Sequence, residues 1–181
     1  MSTPKPSSTW QTVITVFSSR TLAVTFALGF ASGLPLALTA GTLQAWMTVR
    51  GVSLQTIGLF ALVGLPYTLK FLWAPLLDRF AWPGLGRRRG WLLFSQLALV
   101  GALGFMSQLD PVSQAALMAI CALLVSFLSA TQDIAFDAWR TDTIPTAQRG
   151  LGAAVSVFGY RMAMLVSGGL ALILSAHWGW A

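Results

Sequence analysis

The stretch TLAVTFALGFASGLPLALTAGTLQAWMTV, from Thr21 to Val49, decides the fold class because it contains 29 residues and no charged side chain. A helix needs roughly 20 apolar residues to cross a bilayer. Outward from this stretch, the further runs with one charge or none are 51–69, 90–109, 111–132 and 150–176. Charged residues make up only 9% of the chain, whereas soluble domains contain about 25%. We therefore predict an all-α, polytopic integral membrane bundle of about five transmembrane helices.

The predicted helices follow these runs and are joined by short connections. Their bounds are 21–48, 54–77, 91–109, 113–138 and 150–176. Pro35 predicts a bend in the first helix and Pro66 a bend in the second, because proline interrupts the hydrogen bonds of a helix. Gly29 and Gly33, which are spaced as GxxxG, predict close packing of the first helix against a neighbour.

The basic residues lie almost entirely on one side of this topology. Residues 1–20 are interpreted as a cytoplasmic tail and residues 21–181 as the membrane domain. With that orientation, the basic residues on the cytoplasmic side are Lys5, Arg20, Arg79, Arg87, Arg88, Arg89, Arg140 and Arg149. Only Arg50 lies on the opposite side. Because cytoplasmic loops carry an excess of lysine and arginine, we predict a cytoplasmic N-terminus. The same bias accounts for the net charge of +6, so membrane lipid is expected as a partner and nucleic acid is not.

Ionisable residues deep in the predicted helices are candidates for function. Lys70, Asp133 and Arg161 lie well inside, and Asp137 shares a helix face with Asp133 because it is four residues further on. Such charges are costly in a bilayer unless they have a partner or water. We expect an ion-pair network in which Asp133 or Asp137 pairs with Lys70 or Arg161. The sequence leaves two roles open: structural bridges between helices, or a proton pathway with cations that bind an anionic substrate.

Two glutamines complete the candidate substrate or proton pathway. Gln44 and Gln132 could line a polar cavity within the bundle, or form hydrogen bonds between helices. The chain contains one cysteine, one histidine and no glutamate. These residues are too few for a structural zinc site, so we expect no metal and no cofactor. Because a histidine cluster and a nucleophile elbow are also missing, we do not expect an enzyme.

The connection after the second predicted helix carries a recognisable motif. Asp78-Arg79, followed by Gly86-Arg87-Arg88, resembles the loop between helices two and three of major facilitator transporters. The pattern departs from the usual one because Ala74 occupies the position of the first glycine and residues 80–85 are inserted. The resemblance implies that Asp78, Arg79, Gly86, Arg87 and Arg88 form a cytoplasmic gating loop, which connects helix ends in the outward-open state.

Other segments are more specific. They are FLWAPLLDR at 71–79, SATQDI at 129–134, DAWR at 137–140, QRGLGA at 148–153 and GYR at 159–161. Together they resemble the AmpG-type muropeptide permeases, which have relatives among acetyl-CoA transporters. The likeness covers nearly the whole chain. It implies a partial N-terminal half of a major facilitator fold, and we expect that the chain is truncated at Ala181, since five helices are an odd number for a self-contained carrier.

The resemblance also implies a function. We expect proton-coupled import of anhydro-muropeptides, which are glycopeptides, through the bacterial inner membrane for peptidoglycan recycling. The partners would be the glycopeptide substrate, protons and a C-terminal transporter half, and the fragment alone would be inactive. One alternative is a carrier for acetyl-CoA or another anionic solute. Another is a non-transporting assembly half that pairs with a separate C-terminal half.

Overall fold

The computed structural model describes residues 19–180. Within them, five helices are long and apolar enough to cross a membrane by length and composition. The helices are α1 (Arg20–Val49), α2 (Leu54–Leu72), the short α3 (Ala74–Arg79), α4 (Arg87–Met106), α5 (Ala115–Thr143) and α6 (Thr146–Trp178). This architecture confirms the predicted all-α membrane bundle. Of the predicted tail at 1–20, residues 1–18 lie outside the described part of the chain.

Several helix bounds differ from the predicted ones because helices extend beyond their uncharged runs. The predicted helix 54–77 is interrupted at Trp73 and ends at Arg79. The predicted 91–109 begins earlier, at Arg87, so its arginines form the first helical turn. The predicted 113–138 begins two residues later and continues to Thr143, where the extended backbone of Ile144 precedes a proline. The charged end of α5 therefore replaces much of the predicted second cytoplasmic loop.

The helix α5 is the centre of the bundle. In its most apolar window 56% of the residues are buried, compared with 17–33% in the other four spans. The fully buried Val125 packs with Leu99 of α4 and Leu128 of α5. Near the start of α5, Met118 forms a second cluster with Met47 of α1 and Phe60 of α2. Polar groups on α5 are therefore the ones best placed to sit inside the bundle.

The helices α1 and α6 pack with direct backbone contact. A Cβ atom added at Gly29 would lie 2.5 Å from the carbonyl oxygen of Ser156, and one at Gly33 would lie 2.6 Å from that of Tyr160. On α6, a Cβ at Gly159 would lie 2.5 Å from the carbonyl oxygen of Phe26. The close packing predicted from the GxxxG spacing is confirmed. We call this contact the glycine seam.

Beyond the glycine seam, both helices contain a wider, π-helical turn. These turns cover Leu38–Thr42 in α1 and Leu165–Leu170 in α6. They face each other, because the Thr42 hydroxyl donates a hydrogen bond of 2.8 Å to the Ser167 carbonyl oxygen. The bend was predicted at Pro35. Three residues after Pro35, at Leu38, the backbone changes from α-helical to π-helical hydrogen bonding. Such π-turns are frequent at functional sites.

The second span is the least regular. It contains 3₁₀-helical turns at Phe60–Gly64 and Lys70–Leu72, with Pro66 near the start of the α-helical segment between them. The Ser126 hydroxyl of α5 donates a hydrogen bond to the Val63 carbonyl oxygen. This contact satisfies a backbone acceptor within the first irregular turn. The second irregular turn begins at Lys70, so the backbone departs from the α-helix at the one charged residue of this span.

Candidate functional site

Three spans contribute to a polar site around Asp133. The Lys70 ammonium nitrogen of α2 lies 3.6 Å from the Asp133 Oδ2 atom of α5. The Ser32 hydroxyl of α1 donates a hydrogen bond to Asp133 Oδ1. The side chain of Asp133 is 15% exposed and that of Lys70 is 36% exposed. A carboxylate with an ammonium and a hydroxyl as partners can remain charged at this depth.

A cavity of about 230 Å³ opens beside this carboxylate. Its lining residues are Gly29, Ser32, Asp133, Phe136, Asp137, Ser156, Val157 and Tyr160. Carboxylates, hydroxyls and two aromatic rings therefore share one space beside the glycine seam. The volume is sufficient for several water molecules, each of which needs about 30 Å³ in the liquid. Asp133 can accordingly exchange a proton with water that enters the cavity.

Gln132, next to Asp133, is almost completely buried, with 1% of its surface exposed. Its side-chain amide nitrogen has no hydrogen-bond partner among the described residues. The neighbouring Thr131 hydroxyl is occupied, since it accepts a hydrogen bond of 3.2 Å from the Trp73 indole nitrogen. Because a buried donor without a partner costs free energy, the Gln132 amide is suited to a water or a solute group.

The remaining predicted pathway residues form no ion pair with Lys70 or Asp133, although Asp137 lines the same cavity as Asp133. Asp137 forms a salt bridge of 3.0 Å with Arg140, one turn further along α5. Arg161 is exposed on α6 and forms no salt bridge within residues 19–180. Gln44 is half-buried in α1, twelve residues and about 18 Å along the helix from Ser32. Of the predicted ion-pair network, the structure brings together Lys70 and Asp133.

The predicted gating loop folds around Arg88. The Arg88 guanidinium forms a salt bridge with Asp78 through Nη1 and another of 2.9 Å with Asp142 through Nε. Arg87 donates a hydrogen bond of 2.9 Å to the Asp78 carbonyl oxygen. Gly86 has φ 73°, a value that favours glycine, and begins α4. Arg79 is exposed and has no carboxylate partner in the described part of the chain. The ends of α3, α4 and α5 are thus joined by one arginine, which we call the Arg88 latch.

The six inserted residues, 80–85, form a compact turn beside the Arg88 latch. Trp82 stacks on Phe94 with ring centroids 5.4 Å apart, and its ring meets the edge of Trp91. The Trp91 indole donates a hydrogen bond of 3.1 Å to the Phe80 carbonyl oxygen. Gly90 makes room, since a Cβ there would lie 2.5 Å from the Trp82 side chain. The insertion therefore leaves the contact between Asp78 and Arg88 intact.

A separate contact closes the opposite end of the bundle. Arg50, after α1, forms a salt bridge of 2.7 Å with Asp110 in the connection between α4 and α5. The hydroxyl and the backbone amide of Ser113 also donate to this carboxylate, at 2.7 Å and 3.0 Å. These donors and the Arg50 guanidinium hold the pKa of Asp110 below its usual range. Asp110 therefore remains ionised in mildly acidic surroundings.

Sequence reasoning missed two residues that take part in these polar contacts. Asp142 completes the Arg88 latch. Its negative charge could have indicated a salt bridge, because Asp142 is an acid within a predicted loop whose other charged residues are basic. Ser32 is a partner of Asp133, and its position beside Gly33 of the GxxxG pair placed it on the packing face. Neither signal can be interpreted from the sequence without knowing which helix ends and which helix faces are in contact.

The bundle and its site define a multi-pass helical membrane protein with ionisable groups held inside the membrane. A family model described as acetyl-coenzyme A transporter 1 matches residues 21–115. The chain therefore belongs to the acetyl-coenzyme A transporter 1 family.

Curated relatives resemble nearly all of the chain. The Anhydromuropeptide permease of Escherichia coli (strain K12) is 57% identical over 166 residues, which cover 91% of this chain and 34% of that protein. An uncharacterized protein of Haemophilus influenzae is 46% identical over 91% of this chain and 39% of its own length. A Rickettsia conorii protein named as an AmpG transporter is 35% identical over 86% of this chain and 38% of its own length. The chain thus spans little more than a third of these relatives.

Proposed function

We propose that this chain forms the N-terminal part of a carrier that imports anhydro-muropeptides across the bacterial inner membrane. The similarity to the E. coli permease, 57% over 91% of the chain, is the observation that carries the cargo assignment. The partly buried pair of Lys70 and Asp133 beside a cavity supports a transport site at the same place. Such intramembrane charges mark substrate and proton pathways in transporters.

Protons drive the import through Asp133. When the carboxylate is ionised, Lys70 attracts it and Ser32 donates to it. Protonation removes the attraction to Lys70, so α2 and α5 are no longer tied at this depth. The cavity next to Asp133 gives water a route for that proton. The proton's arrival and departure thereby change how strongly two spans are held together, which is how an ion gradient biases a conformational equilibrium.

The Arg88 latch controls access from the cytoplasm. It joins the ends of α3, α4 and α5 through Asp78 and Asp142. While these contacts hold, the cytoplasmic side stays closed and the carrier is open outward. Their separation permits the inward-open state. In this orientation the N-terminus is cytoplasmic, in agreement with the positive-inside bias.

A C-terminal transporter half supplies the other wall of the pathway. Transporters of this type work by alternating access between two halves around a site near the bilayer midplane. The chain spans 34% of the E. coli permease, so further helices of a full carrier are the natural partner. Only the combination of both halves encloses the cargo.

A chimera tests the proposal. This chain replaces the matching segment of the E. coli permease, and inside-out and right-side-out vesicles are supplied with labelled anhydro-muropeptide and a pH gradient. We expect uptake that requires the gradient and is abolished by a protonophore. A chimera that is inserted in the membrane but takes up no muropeptide contradicts the proposed cargo, and gradient-independent uptake contradicts proton coupling.

Acetyl-CoA is the second candidate cargo, and the family model that matches residues 21–115 favours it. Acetyl-CoA carries phosphates, which a guanidinium such as that of Arg161 can neutralise. The same vesicles distinguish the two cargoes. Uptake of labelled acetyl-CoA that unlabelled muropeptide does not inhibit would assign the carrier to the nucleotide.

A further inference from the structure

We propose that Arg161 binds an anionic group of the cargo, and that Lys70 does not. This inference rests on the proposed carrier function and assigns one recognition residue within it. The candidate cations inside the membrane are Lys70 and Arg161. Their surroundings differ, and the difference decides which one is free for a solute.

The salt-bridge partners of the acidic residues show which of the two cations is free. The sequence contains five aspartates and no glutamate. Each aspartate has a cationic partner: Asp110 has Arg50, Asp133 has Lys70, Asp137 has Arg140, and both Asp78 and Asp142 have Arg88. Within the described part of the chain, no unpaired acidic side chain is left for Arg161. Lys70, in contrast, is already the counter-ion of Asp133.

Arg161 is also turned away from the glycine seam. Gly159 and Ala163 contact α1, and Arg161 is two residues from each of them. Two residues correspond to about 200° around a helix, so Arg161 projects on the side opposite α1. It is exposed there. Gly168, two turns further on the same side, has open space around it, since a Cβ would meet nothing within 4 Å.

The depth of Arg161 makes a partner necessary. It lies twelve residues after Arg149, which is about 18 Å along α6, in a span of 33 residues. A guanidinium near the middle of a bilayer is costly unless an anion or water reaches it. Its neighbour in sequence, Tyr160, lines the cavity beside Asp133. Arg161 thus follows directly, along α6, a residue of the cavity wall.

The guanidinium suits carboxylates and phosphates, because its planar fork donates two parallel hydrogen bonds to either group. A peptide-bearing sugar offers carboxylates, and acetyl-CoA offers phosphates. Both are anions at neutral pH. The shared requirement is a negatively charged cargo, and neutral analogues of the same size should lose the contribution of Arg161.

The test pairs variants of the chimera with variants of the cargo. Arg161→Gln and Arg161→Lys are compared with wild type, using labelled anhydro-muropeptide with free carboxylates and the same molecule with methyl-esterified carboxylates. We expect Arg161→Gln to raise the KM for the free acid by about tenfold or more, with the lysine variant in between. For the ester, wild type and Arg161→Gln should have equal KM values. Arg50→Gln, which removes an arginine at the far end of the bundle, is the matched control.

Other results overturn the proposal in distinguishable ways. An equal loss for both cargoes would assign Arg161 to a protein partner, and unchanged KM values would assign it to the lipid boundary. Uptake of acetyl-CoA, lost in Arg161→Gln, would keep the anion site but replace the proposed cargo. If the wild-type chimera takes up none of these solutes, the proposed function fails and the assignment of Arg161 fails with it.

Discussion

The pair of Lys70 and Asp133 is the most consequential contact at the scale of single residues. Its separation of 3.6 Å and its partial burial mean that removal of either charge leaves the other without its counter-ion in a poorly solvated place. An uncompensated charge of that kind is far more costly than a lost surface salt bridge. Substitutions of these two residues are therefore expected to be coupled.

Asp133→Asn should reduce proton-driven uptake by the chimera to background when uptake is expressed per amount of protein in the membrane. The amide keeps the size of the side chain and its contact with Ser32, but it cannot bind and release a proton. Uptake under a pH gradient, together with the quantity of protein in vesicles, measures the effect. Asp110→Asn, at the exposed opposite end, serves as the control. Full uptake with unchanged pH dependence in Asp133→Asn would make Asp133 a structural residue.

An exchange of charges tests the pairing itself. Lys70→Asp combined with Asp133→Lys should restore part of the protein yield and thermal stability that each single substitution removes, because an ion pair is re-formed. Lys70→Asp combined with Asp137→Lys should restore nothing, since Asp137 pairs with Arg140. Detergent-purified protein and its unfolding temperature supply the readout. Rescue by the second combination and not by the first would contradict the observed pairing.

The sequence predicts which charges lie within the helical spans but not how they pair. Depth follows from the position of Lys70, Asp133 and Arg161 along uncharged runs. Pairing depends on how each helix is rotated about its own axis, and the sequence of one helix does not contain that angle. Asp137 illustrates the difficulty. It shares a face with Asp133, yet a partner three residues away on its own helix satisfies it.

At the scale of helices, the glycine seam makes a clear prediction. Gly159→Ala should lower the free energy of unfolding by about 1–3 kcal/mol, because the new methyl group would lie 2.5 Å from the Phe26 carbonyl oxygen. Gly150→Ala, on the same helix, has open space within 4 Å and should change the stability little. Thermal unfolding in detergent compares the two. Equal effects would mean that helix propensity and not packing determines the outcome.

The Arg88 latch has its own matched pair of variants. Arg88→Gln removes two salt bridges, whereas Arg89→Gln removes none of those that the structure describes. Exposed salt bridges contribute about 0.2–1 kcal/mol each, so unfolding should shift only slightly in Arg88→Gln. Such an energy is nevertheless large enough to change the populations of two carrier states. A cysteine introduced on the cytoplasmic side should become more accessible to a thiol reagent in Arg88→Gln only. The same increase in both variants would contradict the latch.

The helices themselves were predictable from uncharged runs, but their ends and irregular turns were not. Arg87 begins α4 because Gly86 adopts a positive φ, a property that the uncharged run does not reveal. The facing π-turns of α1 and α6 depend on a contact between Thr42 and Ser167, which are 125 residues apart in the chain. Long-range contacts of that kind determine local backbone geometry after the helices have packed.

At the scale of the whole molecule, the expected result for the chain alone is the absence of transport. The five described spans leave Arg161 exposed, and the cavity beside Asp133 has a volume of only about 230 Å³. Vesicles that contain this chain without a partner half should therefore take up no labelled anhydro-muropeptide above the leak of empty vesicles. Co-expression with the remaining segment of the E. coli permease should restore uptake. Gradient-driven uptake by the chain alone would refute the need for a second half.

The glycine seam also limits the route that any solute can take. Where Gly29, Gly33 and Gly159 meet the backbone of the opposite helix, a single methyl group would already be too close. No sugar or peptide can pass between α1 and α6 at that level. In the proposed carrier, this part of the boundary between α1 and α6 is a closed wall, and the permeation path lies outside it.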